Sequence, residues 1–370
     1  MWDSNSHRPL FTTRFTRLII RLCIVLALLL TAPAFAAGHA VILMYHHVAV
    51  DTPPSTSVTP EQFDSHLDYL ATHGYQVWPL EKVVSHLRDR QPLPDKVVAI
   101  TVDDAYISVY REAWPRLRAR GWPFTVFVAT DPVDQGLPAM MSWAQMREMS
   151  ANGVTFANHS RSHDHLLRRL PGEAESAWRT RIQADLLHAQ SRLQQELGQA
   201  PLLFAWPYGE YDTALRKLVG ELGFTAFGQQ SGPASGYADR LALPRFPMAV
   251  AFAALDEVRD KLQSLPLPVL QADPDDTVLA LDDKRPRLTV TLQPGRYKPD
   301  TLGCYVSGQG RVPPRWLDAG RTRFEVRAEQ ALPVGRSRYN CTAQATDGSA
   351  WLWYSHPWIR RHPDGSWYAE

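Results

Sequence analysis

"VVAITVDDAY", residues 97–106, is the stretch on which the fold turns. Val97 to Val102 run without a strongly polar break, as a strand does when it is covered on both faces in a parallel sheet. Two carboxylates, Asp103 and Asp104, follow at once. Like charges side by side at the end of a buried strand are tolerable when a cation neutralises one of them and depresses the pKa of the other. Barrels built from such strands keep their chemistry at the strand ends.

Working outward, strand-like runs alternate with amphipathic helices from about residue 39 to 265, the pattern of an α/β domain with parallel strands. The runs are "HAVILMYHHV" (39–48), "PFTVFVAT" (123–130), "VTFANHS" (154–160), "LLFAWPYG" (202–209) and "FTAFGQQ" (224–230). Thr59-Pro60-Glu61-Gln62 predicts a capped helix start, with Phe63, Leu67 and Leu70 as its apolar stripe and Gly74 as its stop. Trp178, Ile182, Leu186, Ala189, Leu193 and Leu197 predict a long helix ended by Gly198. The expected architecture over 37–265 is a TIM-like barrel, distorted or incomplete. Residues 266–287 turn acidic and proline-punctuated and read as a linker. From 288 to 370, short alternating runs between Gly, Pro and Asp turns predict a small all-β sandwich. There, Trp351, Trp353, Tyr354 and Trp358 are read first as core and second as a sugar-binding strip.

The chain has 370 residues and a formal net charge of +1. With no basic run and no nucleic-acid motif, a nucleic-acid partner is not expected. Arg8, Arg14, Arg17 and Arg21 precede "LCIVLALLL" (22–30), and a small-residue site follows at Ala34-Phe35-Ala36, the pattern of a signal peptide over 1–36. The mature chain is then exported, periplasmic or secreted, without a membrane span; the sequence names no protein partner. Loss of Cys23 with the signal leaves Cys304 and Cys341, the arithmetic of one disulfide.

The strand end at 103–104 calls for metal ligands elsewhere, and "NHSRSHDH" (158–165) supplies them. His159 and His163 stand four apart, which on a helical turn puts both imidazoles on one face. With Asp104 they make an Asp-His-His set, the form of a hydrolytic metal centre with open positions. Asp164 and His165 are spare candidates. Trp206, Tyr208, Tyr106 and Trp143 offer apolar faces to sugar rings.

"TVDDAY", "HSRSH" and "WPYGEY" together resemble, in order and spacing, the three main motifs of polysaccharide deacetylases, the NodB-homology group or carbohydrate esterase family four. "LMYHHV" and "LPRFPM" (243–248) resemble most the branch of poly-β-1,6-N-acetylglucosamine deacetylases. The resemblance covers about 39–250 and implies a distorted NodB-type (β/α) barrel that hydrolyses acetamido groups of a polysaccharide. It makes Asp103 the general base, and Asp104, His159 and His163 the ligands of a divalent metal, zinc first among them. His46 becomes the general acid, with His47 its rival, and the backbone N–H of Tyr208 an oxyanion donor. Three positions depart from the family pattern. Val102 stands in place of the usual Phe, and Ala105 in place of a Gly, where a positive φ would be strained. Ala205 replaces an arginine that pairs with the catalytic aspartate, and Arg245 is the candidate substitute. Two other readings stay open: a non-catalytic carbohydrate-binding protein, and an O-acetyl esterase on a xylan-like glycan.

Overall fold

The computed structural model describes residues 38–369 together with Trp2, so the segment read as a signal peptide lies outside the described residues. Strand β1 (His39–Tyr45) pairs in parallel with β2 (Val97–Asp103), followed in order by β3 (Thr125–Val128), β4 (Thr155–Asn158), β5 (Leu203–Ala205) and β6 (Thr225–Phe227). The register Ala40↔Val97 to Tyr45↔Val102 brings the end of β1 level with Asp103. Every residue of β2 is buried, as its unbroken apolar run requires.

Closure of the sheet depends on one short segment. Leu243 bridges in parallel to Phe227 of β6, and β7 (Phe246–Pro247) pairs in parallel with β1 through Leu43↔Phe246. Residues 243–247 therefore lap both edges and complete a distorted barrel, with Arg245 at the middle of the closure. Among the described residues, no helix is long and apolar enough to cross a membrane.

The helices follow the predicted stripes. Pro60–Thr72 carries a full capping box, in which Thr59 accepts from the Gln62 N–H and the Gln62 side chain accepts from the Thr59 N–H. Glu175–Leu197 buries Trp178, Ile182, Leu186, Ala189 and Leu193 and stops at Gly198, whose φ of 72° only glycine adopts without cost. Each fully buried Leu or Ile on that stripe contributes roughly 1.5–3 kcal/mol relative to exposure. One change such as Leu186→Asp would place an unpaired charge against the barrel.

Two sheets form the C-terminal part, antiparallel throughout except where Leu265–Pro266 pairs in parallel with Trp351–Arg360. One is five-stranded, in the order Leu265–Pro266, Trp351–Arg360, Gly335–Gln344, Gly303–Val306, Gly310–Val312. The other is four-stranded, in the order Val269–Asp273, Arg287–Leu292, Arg323–Arg327, Arg315–Trp316. Leu288, Val290, Phe324, Tyr339 and Trp358 lie between them as a core. Part of the acidic stretch read as a linker is thus a strand, Val269–Asp273, paired with Arg287–Leu292. Cys304 and Cys341 face each other across neighbouring strands and are bonded, both fully buried. Ala37–Glu370 is one compact unit. Trp353 packs edge-on against Phe246 of β7, with ring centroids 5.5 Å apart.

Candidate active site

The loops after β2, β4 and β5 converge at one end of the barrel, and their backbone is strained there. Asp104 (φ 74°), Ala105 (57°), Ser160 (69°), His163 (58°) and Tyr208 (59°) all sit in the left-handed region. Such non-glycine residues cost about 1–3 kcal/mol each and cluster where surrounding structure imposes them for a purpose. Ala105 pays the Cβ penalty that a glycine would avoid. Its methyl is nevertheless fully buried, against the β2 core.

Asp103, the last residue of β2, points into the barrel and is fully buried with Arg245. Arg245 Nη1 donates to Asp103 Oδ1 at 2.7 Å and Nη2 to Oδ2 at 2.8 Å, a bidentate fork. Its Nε donates to the Gly228 carbonyl at 2.9 Å, and Nη1 also reaches Thr101 Oγ1 at 3.3 Å. Burial alone would raise the Asp103 carboxyl; the guanidinium, aided by His159, holds it below the usual carboxylate range. Arg245, read from "LPRFP", is thus the guanidinium that pairs with Asp103.

Asp104, 13% exposed at its side chain, faces His159 and His163. Its Oδ1 lies 3.3 Å from His159 Nε2 and 3.1 Å from His163 Nε2, yet makes no hydrogen bond of sound geometry to either. His159 Nδ1 must donate to the Ala205 carbonyl at 2.8 Å, because a carbonyl only accepts. That bond fixes the tautomer and leaves a lone pair on Nε2. The three ligand atoms lie within 4.8 Å of one another, an arrangement that suits a divalent cation. Burial opposes ionisation of Asp104, but the two imidazoles pull its carboxyl well below the ordinary value.

The His159–His163 spacing predicts a helical turn, and the structure differs. Residues 159–165 form a loop whose backbone is held by side chains: Asn158 Oδ1 accepts from the Ser160 N–H, Asp185 from the Arg161 and Ser162 N–H groups, and Ser160 Oγ from the His163 N–H. Local side-chain bonds of this kind compete with helix. The imidazoles converge through two left-handed residues instead.

His46 follows β1, and its imidazole is lowered by burial, with the charges of Asp104 and Asp103 acting the other way. His47 turns aside to stack on Tyr106, with centroids 3.7 Å apart. Tyr106 remains at the rim, its phenol pushed up by burial and by Asp104. Two expected sugar-facing rings are elsewhere. Trp206 is fully buried, its indole N–H donating to the Leu241 carbonyl. Trp143 is a buried helix residue donating to Asp134. Both are core, because each tryptophan found a hydrogen-bond partner for its one polar atom inside the fold.

A further carboxylate escaped the sequence reading. Glu210 is 1% exposed and receives His165 Nδ1 at 2.8 Å and the Tyr368 hydroxyl; Arg336 stands 4.0 Å away. His165 stacks on Tyr208 at 3.9 Å, and Arg336 donates to the Tyr208 carbonyl at 3.0 Å. The strained Tyr208 turn is thus fastened from three sides, two of them C-terminal.

Comparison with known proteins places this geometry. The chain is similar to the poly-β-1,6-N-acetyl-D-glucosamine N-deacetylase of Escherichia coli K12, 26% identical over 205 residues, 46% of this chain and 30% of the relative. The enzyme of the same name from Staphylococcus aureus MRSA252 is 25% identical over 158 residues, 41% of this chain and 54% of the relative. The curated relatives are matched over at most 61% of their own length. Among solved structures, the Streptococcus pyogenes deacetylase PplD in complex with acetate superposes with a TM-score of 0.53 at 26% identity, covering 60% of this chain and 99% of that one. IcaB from Ammonifex degensii gives 0.52 at 25% identity, covering 61% and 98%. Residues 90–227, which hold β2 to β6 with the carboxylate pair, both histidines and the Tyr208 turn, match the polysaccharide deacetylase family model.

Proposed function

We propose that the protein is an exported, metal-dependent N-deacetylase that hydrolyses acetamido groups of an N-acetylglucosamine-containing polysaccharide to free amine and acetate. The observation that carries this reading is the buried Asp103–Arg245 fork directly beside the Asp104, His159 and His163 cluster. An amide is a poor electrophile with a poor leaving group, so its cleavage needs carbonyl polarisation, an activated water and a proton for the amine. Asp104, His159 and His163 would hold a divalent ion, zinc foremost, which would supply the Lewis acidity when bound. Asp103, anionic and oriented on both oxygens by Arg245, accepts the proton of the attacking water. The Tyr208 backbone N–H holds the oxyanion, and His46 returns a proton to the departing nitrogen. The signal-like N-terminus and the paired cysteines support export.

Acetate release from β-1,4- and β-1,6-linked N-acetylglucosamine oligomers tests the reading, with Asp103→Asn and chelated protein as controls. Release lost in both controls is the expected outcome. Release only from acetylated xylan would make the protein an esterase, and oligomer binding without any release would make it a binding protein.

A further inference from the structure

The five-stranded C-terminal sheet buries one face in its own core; the other meets the barrel through Arg336, Arg338 and Trp353 and is open to solvent beside them. Alternation along Gly335–Gln344 puts Tyr339, Cys341 and Ala343 inside and Asn340, Thr342 and Gln344 outside. On the outer face, Tyr305 lies opposite Asn340 and Trp351 opposite Gln344. Tyr305 is 46% and Trp351 51% exposed, in a region whose other aromatic rings are mostly buried. They flank a cleft of about 520 Å³ shared with Asn340, Thr342 and, from the barrel helix Leu255–Gln263, Asp260 and Gln263.

This combination is chemically selective. Two exposed rings offer flat apolar faces, while the amides, hydroxyl and carboxylate offer donors and acceptors around them. A pyranose presents the matching pattern, with a C–H face and a rim of hydroxyl and acetamido groups. Asn340 Oδ1 accepts from the Ser355 hydroxyl at 2.7 Å, which leaves the amide nitrogen to donate to a ligand. Among the described residues no Lys or Arg lines the cleft, whereas the Asp260 carboxylate does, a charge that disfavours polyanions.

The same strand connects the cleft to the catalytic end. Arg336, on the same outward face, donates to the Tyr208 carbonyl at 3.0 Å. Asn340 follows four residues later, about 14 Å further along at ~3.4 Å per residue. A single polymer can therefore reach both places.

We propose that the Tyr305–Trp351 cleft is a second binding site for the polysaccharide, holding N-acetylglucosamine or glucosamine units remote from the unit being hydrolysed. The identity of the sugar rests on the deacetylase reading; the site itself does not. Its effect is to favour long chains over short ones without touching the chemistry.

The test is calorimetric titration of the chelated full chain with oligomers of increasing length, alongside acetate release by the metal-loaded chain. Wild-type affinity is expected to rise with length. Trp351→Ala is expected to weaken binding of the longest oligomers about tenfold, the scale of an aromatic anchor, and Trp351→Phe to restore most of it. Turnover of the shortest substrate stays unchanged. Both side chains are half-exposed, so unfolding is not the expected consequence; a matching urea midpoint verifies that. Length dependence that is absent in the wild type, or identical in Trp351→Ala, overturns the proposal while leaving the deacetylase reading intact. Trp351-dependent binding with no acetate release from any oligomer sinks that reading and leaves the cleft. Tighter binding of alginate than of neutral oligomers overturns the cleft's assignment.

Discussion

Replacing Arg245 with methionine removes the only guanidinium that, among the described residues, meets Asp103, at 2.7 and 2.8 Å, in a place where both side chains are wholly buried. The volume is roughly kept, so the cost is electrostatic. A buried carboxylate left without its partner destabilises a fold by about 3–5 kcal/mol. Asp103→Asn leaves the opposite problem in milder form, because Arg245 still donates to the Gly228 carbonyl and reaches Thr101 Oγ1. The double variant lacks both charges, so its loss should fall short of the sum of the singles by roughly 2–3 kcal/mol, the upper range for side chains in contact. Urea unfolding of chelated protein measures all four species. The pH dependence has a sign as well. In Arg245→Met the stranded carboxyl rises above its unfolded value of about 3.9, so protonation stabilises the fold at low pH and that contribution is lost as pH rises. The deficit of this variant should therefore be larger at pH 8 than at pH 5. A deficit below about 1 kcal/mol at pH 8, or strict additivity in the cycle, would refute the claim that the pair is an interdependent buried unit.

Three further outcomes are expected. His356 is buried, and burial lowers its imidazole to about 4; its stabilising neutral form is complete above about 6.5 and is lost as pH falls toward 4, a change of roughly 3 kcal/mol. His356→Phe should flatten the urea midpoint between pH 6.5 and 4.5. Ala105→Gly relieves about 1 kcal/mol of left-handed strain but loses a buried methyl worth ~0.8 kcal/mol and gains unfolded-chain entropy worth ~0.4–1 kcal/mol. The net expectation is a small loss of stability, and a gain above 1 kcal/mol would show that the strain is larger than assigned. Tyr368→Phe removes the hydroxyl that Glu210 accepts, which should lower kcat while KM and metal affinity hold; equal loss in all three would mean general disruption instead.

How much of this was legible in the sequence varies by residue. The run 97–102 and the stripe from Trp178 to Leu193 specified their elements because burial on fixed faces leaves one periodicity. Arg245 was readable as the partner of Asp103 because a missing arginine at 205 posed a specific question. The loop at 159–165 was not, since spacing alone does not reveal that Asn158 and Asp185 will capture its backbone. Trp206 and Trp143 misled for a related reason: an indole beside a motif looks the same in sequence whether its N–H meets sugar or a carbonyl. Glu210 gave only the weak signal of a charge following "WPYG". Its partner Tyr368 returns from 158 residues away, a closeness that no local pattern encodes.

The segment that shuts the barrel also delivers Arg245, and 142 residues separate that arginine from Asp103. In the order of synthesis, the carboxylate is therefore made early and its counter-charge late, with the fastening of the Tyr208 turn by Tyr368 later still. Hydrolytic competence then belongs to the end of folding rather than to the first compact stage. A chain interrupted before 243 retains all three metal-ligand candidates and lacks the guanidinium that meets Asp103.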